Sequence, residues 1–138
     1  MFKFSSRSKM RLEGVHPTIK GILDVALERT PIDFGIAEYG GLRTVEDQQF
    51  LFNDGGSKCD GIRKKSKHQR QKSGYGEAVD VYAYLNREAS FDKIHLSIIA
   101  GVILSVAKGM GVKCVWGGTF NSNEFKGWDF GHFEFYFD

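Results

Sequence analysis

Gly76-Glu77-Ala78-Val79-Asp80-Val81-Tyr82-Ala83-Tyr84 is the stretch on which the architecture turns. Val79, Val81 and Ala83 alternate with Ala78, Asp80 and Tyr82, the period of a strand with one face in a core. A carboxylate, Asp80, sits in the middle of this otherwise apolar run. Burying an unpaired carboxylate is costly, so Asp80 needs a partner, and a metal ion is the best one on offer.

Working outward, residues 91–108 carry Ile94, Ile98, Ile99, Val102, Ile103 and Val106 at helical spacing, and Gly109-Met110-Gly111 closes the pattern. This is the expected main buried helix. Residues 112–116 and 132–137 read as two further strands, joined by a loop over 117–127. Upstream, Ile19, Ile22, Leu23, Ala26 and Leu27 mark a helix that begins after Val15-His16-Pro17 and stops at Pro31. Residues 33–38 read as a short strand. Thr44, with Asp47 three residues on, reads as an N-cap and an acidic first turn, for a helix closed by Gly55-Gly56. Residues 55–76 are the irregular part. This order of elements implies an α+β fold: one domain over 1–138, with helices packed against a small antiparallel sheet. Residues 1–14 are polar and read as a loosely anchored, flexible N-terminal arm.

A chain of 138 residues fits one ordinary domain. Its net charge of +2 is too small to argue for nucleic acid by itself. No stretch approaches the roughly 20 apolar residues of a membrane span, and Met1-Phe2-Lys3-Phe4-Ser5-Ser6-Arg7 lacks the apolar core of a signal peptide. We therefore expect synthesis in the cytoplasm and no membrane insertion. The two cysteines, Cys59 and Cys114, lack CxxC or CxxH spacing, so they read as free thiols rather than zinc ligands.

The chemistry gathers at two places. Ser66-Lys67-His68 precedes Asp80, and Asp129-Phe130-Gly131-His132-Phe133-Glu134 closes the chain. Two histidines and an aspartate suit a catalytic zinc, which takes three protein ligands and keeps one open position for water. Asp129 is then the natural proton acceptor, with Glu134 and Glu124 in reserve. His16, beside Pro17, and His95, on the long helix, read as structural. Trp116, Trp128 and Tyr75 read as core rings by default, with a place along the groove as the alternative.

These motifs resemble those of the zinc-dependent murein peptidases, the group of D-Ala-D-Ala carboxypeptidases and L-alanyl-D-glutamate endopeptidases, and above all its small single-domain phage endolysins. The pattern Ser-x-His…Gly-x-Ala-x-Asp is matched by Ser66, His68, Gly76, Ala78 and Asp80. Trp-Gly-Gly…Asp-x-x-His-Phe is matched by Trp116, Gly117, Gly118, Asp129, His132 and Phe133. Arg-Ser/Thr-x-x-x-Gln is matched by Arg43, Thr44 and Gln48, with Gln49 as the other register, and Val15-His16-Pro17 also fits. Three motifs in the right order are far more specific than any one.

The resemblance implies His68, Asp80 and His132 as zinc ligands at the sheet, Asp129 as general base and then acid, and Arg43 steadying the substrate carbonyl oxygen. It implies cleavage of a peptidoglycan stem peptide, as an L-alanyl-D-glutamate endopeptidase acting in host lysis. Such an enzyme reaches the cell wall from the host cytoplasm once the membrane has been permeabilised, and a monomer is expected. The alternatives are a D-Ala-D-Ala carboxypeptidase or a non-catalytic module that binds cell wall or nucleic acid. The run 63–72 holds six cations in ten positions and could grip phosphates. It lacks interleaved aromatics and any nucleic-acid motif around it, so no nucleic-acid partner is expected. One departure from the family stands out. The His68–Asp80 spacing exceeds the family's usual spacing of about seven by roughly five residues, an insertion within 69–75. That loop is expected to be mobile, on the surface, with its cations facing stem-peptide carboxylates.

Overall fold

The computed structural model describes residues 1–120 and 127–137. Helices α1 (Ser6–Arg11), α2 (Pro17–Arg29), α3 (Val45–Asn53) and α4 (Lys93–Gly109) accompany strands β1 (Asp33–Ile36), β2 (Ala78–Leu85), β3 (Glu88–Ser90), β4 (Lys113–Trp116) and β5 (His132–Tyr136). The sheet runs β1-β2-β5-β4, with β3 pairing to the far end of β2. Every strand pair is antiparallel. The expected α+β class holds, with helices packed against an open antiparallel sheet.

The alternation read in β2 is what makes the sheet two-faced. Val79, Val81 and Ala83 are buried, as are Phe133 and Phe135 of β5. They meet Ile19, Ile22, Leu23 and Ala26 of α2 and Ile99, Ala100, Ile103 and Ala107 of α4 in one core. Burying each Val, Leu, Ile or Phe among them contributes about 1.5–3 kcal/mol. Asp80, His132 and Glu134 alternate with these core residues and so lie on the other face, away from the helices.

Local signals account for the helix ends. His16 caps α2 by accepting from Thr18 N at 3.1 Å, with Pro17 in the first turn. Thr44 and Asp47 form a complete capping box on α3. Asp92 caps α4, accepting from Ile94 N at 2.8 Å. The short strand β3 carries no pattern of its own; it forms because the turn at Asn86 and Arg87, both at positive φ, folds the chain back onto β2.

The arm expected over 1–14 needs correction, because it docks. Ser8 is buried and its Oγ accepts from Ile36 N at 3.1 Å, while Arg11 Nη1 donates to Ile36 O at 2.8 Å. Phe4 packs edge-on against Phe34 at 5.7 Å, and Leu12 is buried. A few anchors on one face of a polar segment suffice, and they satisfy backbone groups at the end of β1.

Candidate metal centre and active-site cleft

The register of the sheet sets the centre. Asp80 of β2 pairs directly with His132 of β5, so the two side chains stand side by side on the open face. His68 comes from the irregular segment and is buried. Its backbone is pinned: His68 N donates to Ser66 Oγ at 3.2 Å, and its carbonyl accepts from Arg43 N at 2.9 Å. Ser66 N in turn donates to Gln69 Oε1 at 2.9 Å.

Three ligand atoms converge. His68 Nε2 is 3.2 Å from His132 Nδ1 and 3.3 Å from Asp80 Oδ1, and the Asp80 Oδ1–His132 Nδ1 distance is 2.7 Å. Zinc bonds of about 2.0–2.1 Å in a tetrahedron hold neighbouring ligand atoms about 3.3 Å apart. Two of the three separations meet that value, and the third needs to open by roughly half an ångström. Each histidine also has its other nitrogen engaged. His68 Nδ1 lies 3.0 Å from Gly41 O, and His132 Nε2 lies 3.0 Å from Glu134 Oε1. Those contacts turn one nitrogen of each ring to the centre, the usual way a ligand histidine is oriented. Gly41 has to be glycine, since a Cβ there would collide with Arg11 O.

The electrostatics favour a cation. Burial works against the charge of Asp80, but His68 and His132 outweigh it and hold the carboxyl far below the ordinary range. Burial also opposes a charge on His132, yet its hydrogen bonds to Asp80 and Glu134 push the imidazole up to about 10. Burial lowers His68. Asp80 and Glu134 thus place a carboxylate against each nitrogen of the His132 ring.

Asp129 stands beside this point, on the cleft wall. Burial, reinforced by the neighbouring Asp80 charge, pushes its carboxyl up to about 6. His132 N donates to Asp129 O at 3.1 Å, a tight turn that keeps acid and ligand together. Arg43 reaches the same cleft and makes three hydrogen bonds. Nη2 donates to Asp80 Oδ2 at 2.9 Å, Nη1 to Gln48 Oε1 at 3.1 Å and Nε to Tyr39 O at 2.7 Å. A guanidinium has five N–H groups, and among the described residues three of them are engaged.

The cleft has a volume of about 510 Å³, and its lining includes Arg43, His68, Asp80, Asp129 and His132 together with Phe120, Trp128 and Glu134. His68, Asp80, His132, Asp129 and Arg43 are therefore brought to one cavity. Of the reserve bases, Glu134 is occupied as the partner of His132 and of the Tyr136 hydroxyl, 2.7 Å away. Glu124 lies outside the described residues. Trp128 lines the cleft, whereas Trp116 is buried, donating from Nε1 to Phe130 O at 2.7 Å. Tyr75 meets His16 edge-on, and His95 bonds Ser90. Both cysteines are free.

Two residues named in the sequence take parts other than the ones expected of them, and a third, Gln69, was not singled out. Glu134 orients His132, and its position two residues on along the same strand was the available signal. Gln48 is fully buried and links Arg43 to the loop beyond α3, donating to Ser57 Oγ at 2.7 Å and Cys59 O at 2.8 Å. Gln69 is buried as well and donates to Gly61 O at 3.0 Å. Beyond Gln69 the insertion lies at the surface, as expected, but its cations do not line the cleft. It folds as a small hairpin, with Gln71 N donating to Tyr75 O and Gly74 N to Gln71 O, each at 2.9 Å, and Arg70 pairing with Gly76. Arg70 Nη1 turns back to Gly74 O at 2.6 Å, and neither Arg70 nor Lys72 is among the residues lining the cleft.

Similarities to known proteins agree with this geometry. No curated protein sequence matches the chain. Among solved structures, the L-Ala D-Glu endopeptidase ChiX of Serratia marcescens superposes with a TM-score of 0.75 at 27% identity, over 99% of this chain and 91% of that one. A family model described as phage L-alanyl-D-glutamate peptidase matches residues 1–135. Spanned by that model almost from end to end, this chain belongs to the phage L-alanyl-D-glutamate peptidase family.

Proposed function

We propose that the chain is a zinc-dependent endopeptidase that hydrolyses the L-alanyl-D-glutamate bond of the peptidoglycan stem peptide and serves as a phage endolysin. The observation that carries this reading is the convergence of His68 Nε2, Asp80 Oδ1 and His132 Nδ1 within 2.7–3.3 Å of one another beside Asp129. The nitrogen and oxygen donor set fits zinc. His68, Asp80 and His132 would hold the ion. When bound, zinc supplies Lewis acidity and makes a water nucleophilic at neutral pH.

The chain's own groups do the rest. Asp129, with a carboxyl raised to about 6, is ionised at neutral pH yet basic enough to take a proton from water and pass it to the leaving amine. Arg43, always charged and at the cleft wall, would offset charge that develops on the carbonyl oxygen. Glu134 holds the His132 ring, and Phe120, 5.7 Å from that ring, shields one side of the centre. We further propose a monomer made in the host cytoplasm that meets its substrate after the membrane is permeabilised. Among the described residues, no helix is long and apolar enough to cross a membrane.

Two measurements test this reading. Elemental analysis should find one zinc per chain. Mass spectrometry of fragments from defined murein should find new amino-terminal D-glutamate. Release of terminal D-alanine alone would assign the chain to carboxypeptidase action, and no release from intact murein would reject a peptidase.

A further inference from the structure

The basic run does not behave as one surface. The cleft that holds the metal centre is also lined by Lys58, Lys64, Lys65 and Lys67. Lys67 is neutralised by Glu77, with Nζ 2.9 Å from Oε1, just as Arg43 is by Asp80. The other three have no carboxylate within 4.0 Å among the described residues. Lys58 Nζ rests 4.6 Å from the centre of the ring of Trp128, another lining residue, and Lys65 Nζ donates to Arg70 O.

The loop that carries these lysines is unusually well tied for an irregular segment. Asp60 Oδ1 accepts from the backbone N–H groups of Ile62, Arg63 and Lys64, each at 2.9 Å. Gln48 and Gln69, both buried, hold Cys59 O and Gly61 O. The loop backbone is therefore ordered in advance, which lowers the entropy cost of using its cations to bind.

The substrate chemistry supplies a counterpart. A glutamate residue has two carboxyl groups, and only one can continue a peptide. The other is free, on the residue whose amine leaves when the bond is cut. We propose that Lys58, Lys64 and Lys65 form a carboxylate-binding subsite that selects the free carboxylate of the glutamate on the leaving side of the scissile bond. This inference rests on the function proposed above. It also moves the expected substrate contact from the cations of the 69–75 hairpin to those of the preceding loop.

The test compares two synthetic peptides that contain the L-alanyl-D-glutamate bond, one with the free carboxylate and one with that group as a carboxamide. The wild-type zinc enzyme should prefer the carboxylate peptide in kcat/KM. Each partly exposed charge pair is worth roughly a 1.4- to 5-fold factor. In the Lys58→Met, Lys64→Met, Lys65→Met triple variant, the preference should fall about 10-fold, mainly through KM. Higher salt should erode the wild-type preference. The paired variant Arg70→Gln, Lys72→Gln removes two cations outside the cleft and should keep the wild-type ratio, with bound zinc confirming that both variants are folded. An unchanged ratio in the triple variant would overturn the subsite. So would an equal loss in the Arg70/Lys72 variant, which would point to overall charge. A wild type that cuts neither peptide would instead reject the proposed function, and the subsite with it.

Discussion

Replacing Glu134 separates two roles that a carboxylate beside a metal centre can play. Its Oε1 lies 3.0 Å from His132 Nε2, and the Tyr136 hydroxyl donates to Oε2 at 2.7 Å. With both oxygens committed, Glu134 is a positioning group that keeps His132 Nδ1 turned toward Asp80 and His68. Burial disfavours its charge, but the hydrogen bond from His132 is the stronger influence and holds the carboxyl below its ordinary range. Glu134→Ala leaves the His132 ring free to rotate and exposes its N–H to water. Losing such a partner costs about 10- to 100-fold in metal affinity, or about 1.4–2.8 kcal/mol. Glu134→Gln keeps an acceptor of the same shape and should lose only about 3-fold, the lower end of what a neutral for a charged hydrogen bond costs. Competition against a fluorescent zinc chelator at fixed pH gives the affinities, and turnover is then read at saturating zinc. Wild-type affinity in Glu134→Ala would refute the positioning role. If turnover at saturating zinc also fell 100-fold or more, Glu134 and not Asp129 would be the base.

Asp129→Asn should keep zinc and lose about 10²-fold or more in turnover, since an amide cannot accept the proton. The same substitution has a pH signature in chelator-treated protein. Burial raises the Asp129 carboxyl to about 6 from an ordinary 3.8, so the folded chain holds more protons across that window and loses stability as pH rises through it. Asp129→Asn should therefore melt higher than wild type at pH 7.5, with the gain shrinking towards pH 4; a constant difference would contradict the assignment. Gln48→Leu strands the Arg43 N–H and the Cys59 carbonyl in a buried site, and denaturant unfolding should show a loss of about 2–6 kcal/mol at 1–3 kcal/mol per orphaned group. Burial, aided by Glu134, pushes the Cys114 thiol up to about 12, so alkylation at pH 8 followed by peptide mapping should label Cys59 well before Cys114. Equal labelling rates would remove that distinction.

The parts of this protein that were legible in its residues are those governed by near neighbours. Alternation in 78–84 marks β2 with its core and open faces, because a strand's side chains change sides at each step. The spacing of Ile99, Ile103 and Val106 marks α4, and Thr44 with Asp47 marks the start of α3 through a hydrogen-bonding exchange that spans one turn. His68, Asp80, His132 and Asp129 could be named as candidates because their types and order suit a chemistry, and Arg43 through the family resemblance, even though their meeting point could not be seen.

Contacts between distant segments decided the rest. Whether Gln48 or Gln49 belongs to the site depends on which side of α3 faces Arg43 and Cys59, and it is Gln48 that is buried there. The docking of α1 rests on Ser8 and Arg11 meeting Ile36, more than twenty positions away. The basic run looks uniform in sequence, yet the fold sets Lys64 and Lys65 along the cleft and folds Arg70 back on its own hairpin. The pairing of Asp80 with His132 brings residues 52 positions apart to 2.7 Å. Periodicity and caps are interactions within a few residues, and a chain displays them in linear order. A metal centre is a point shared by three loops and strands, and its position exists only once the sheet register and the buried hydrogen bonds behind it have formed.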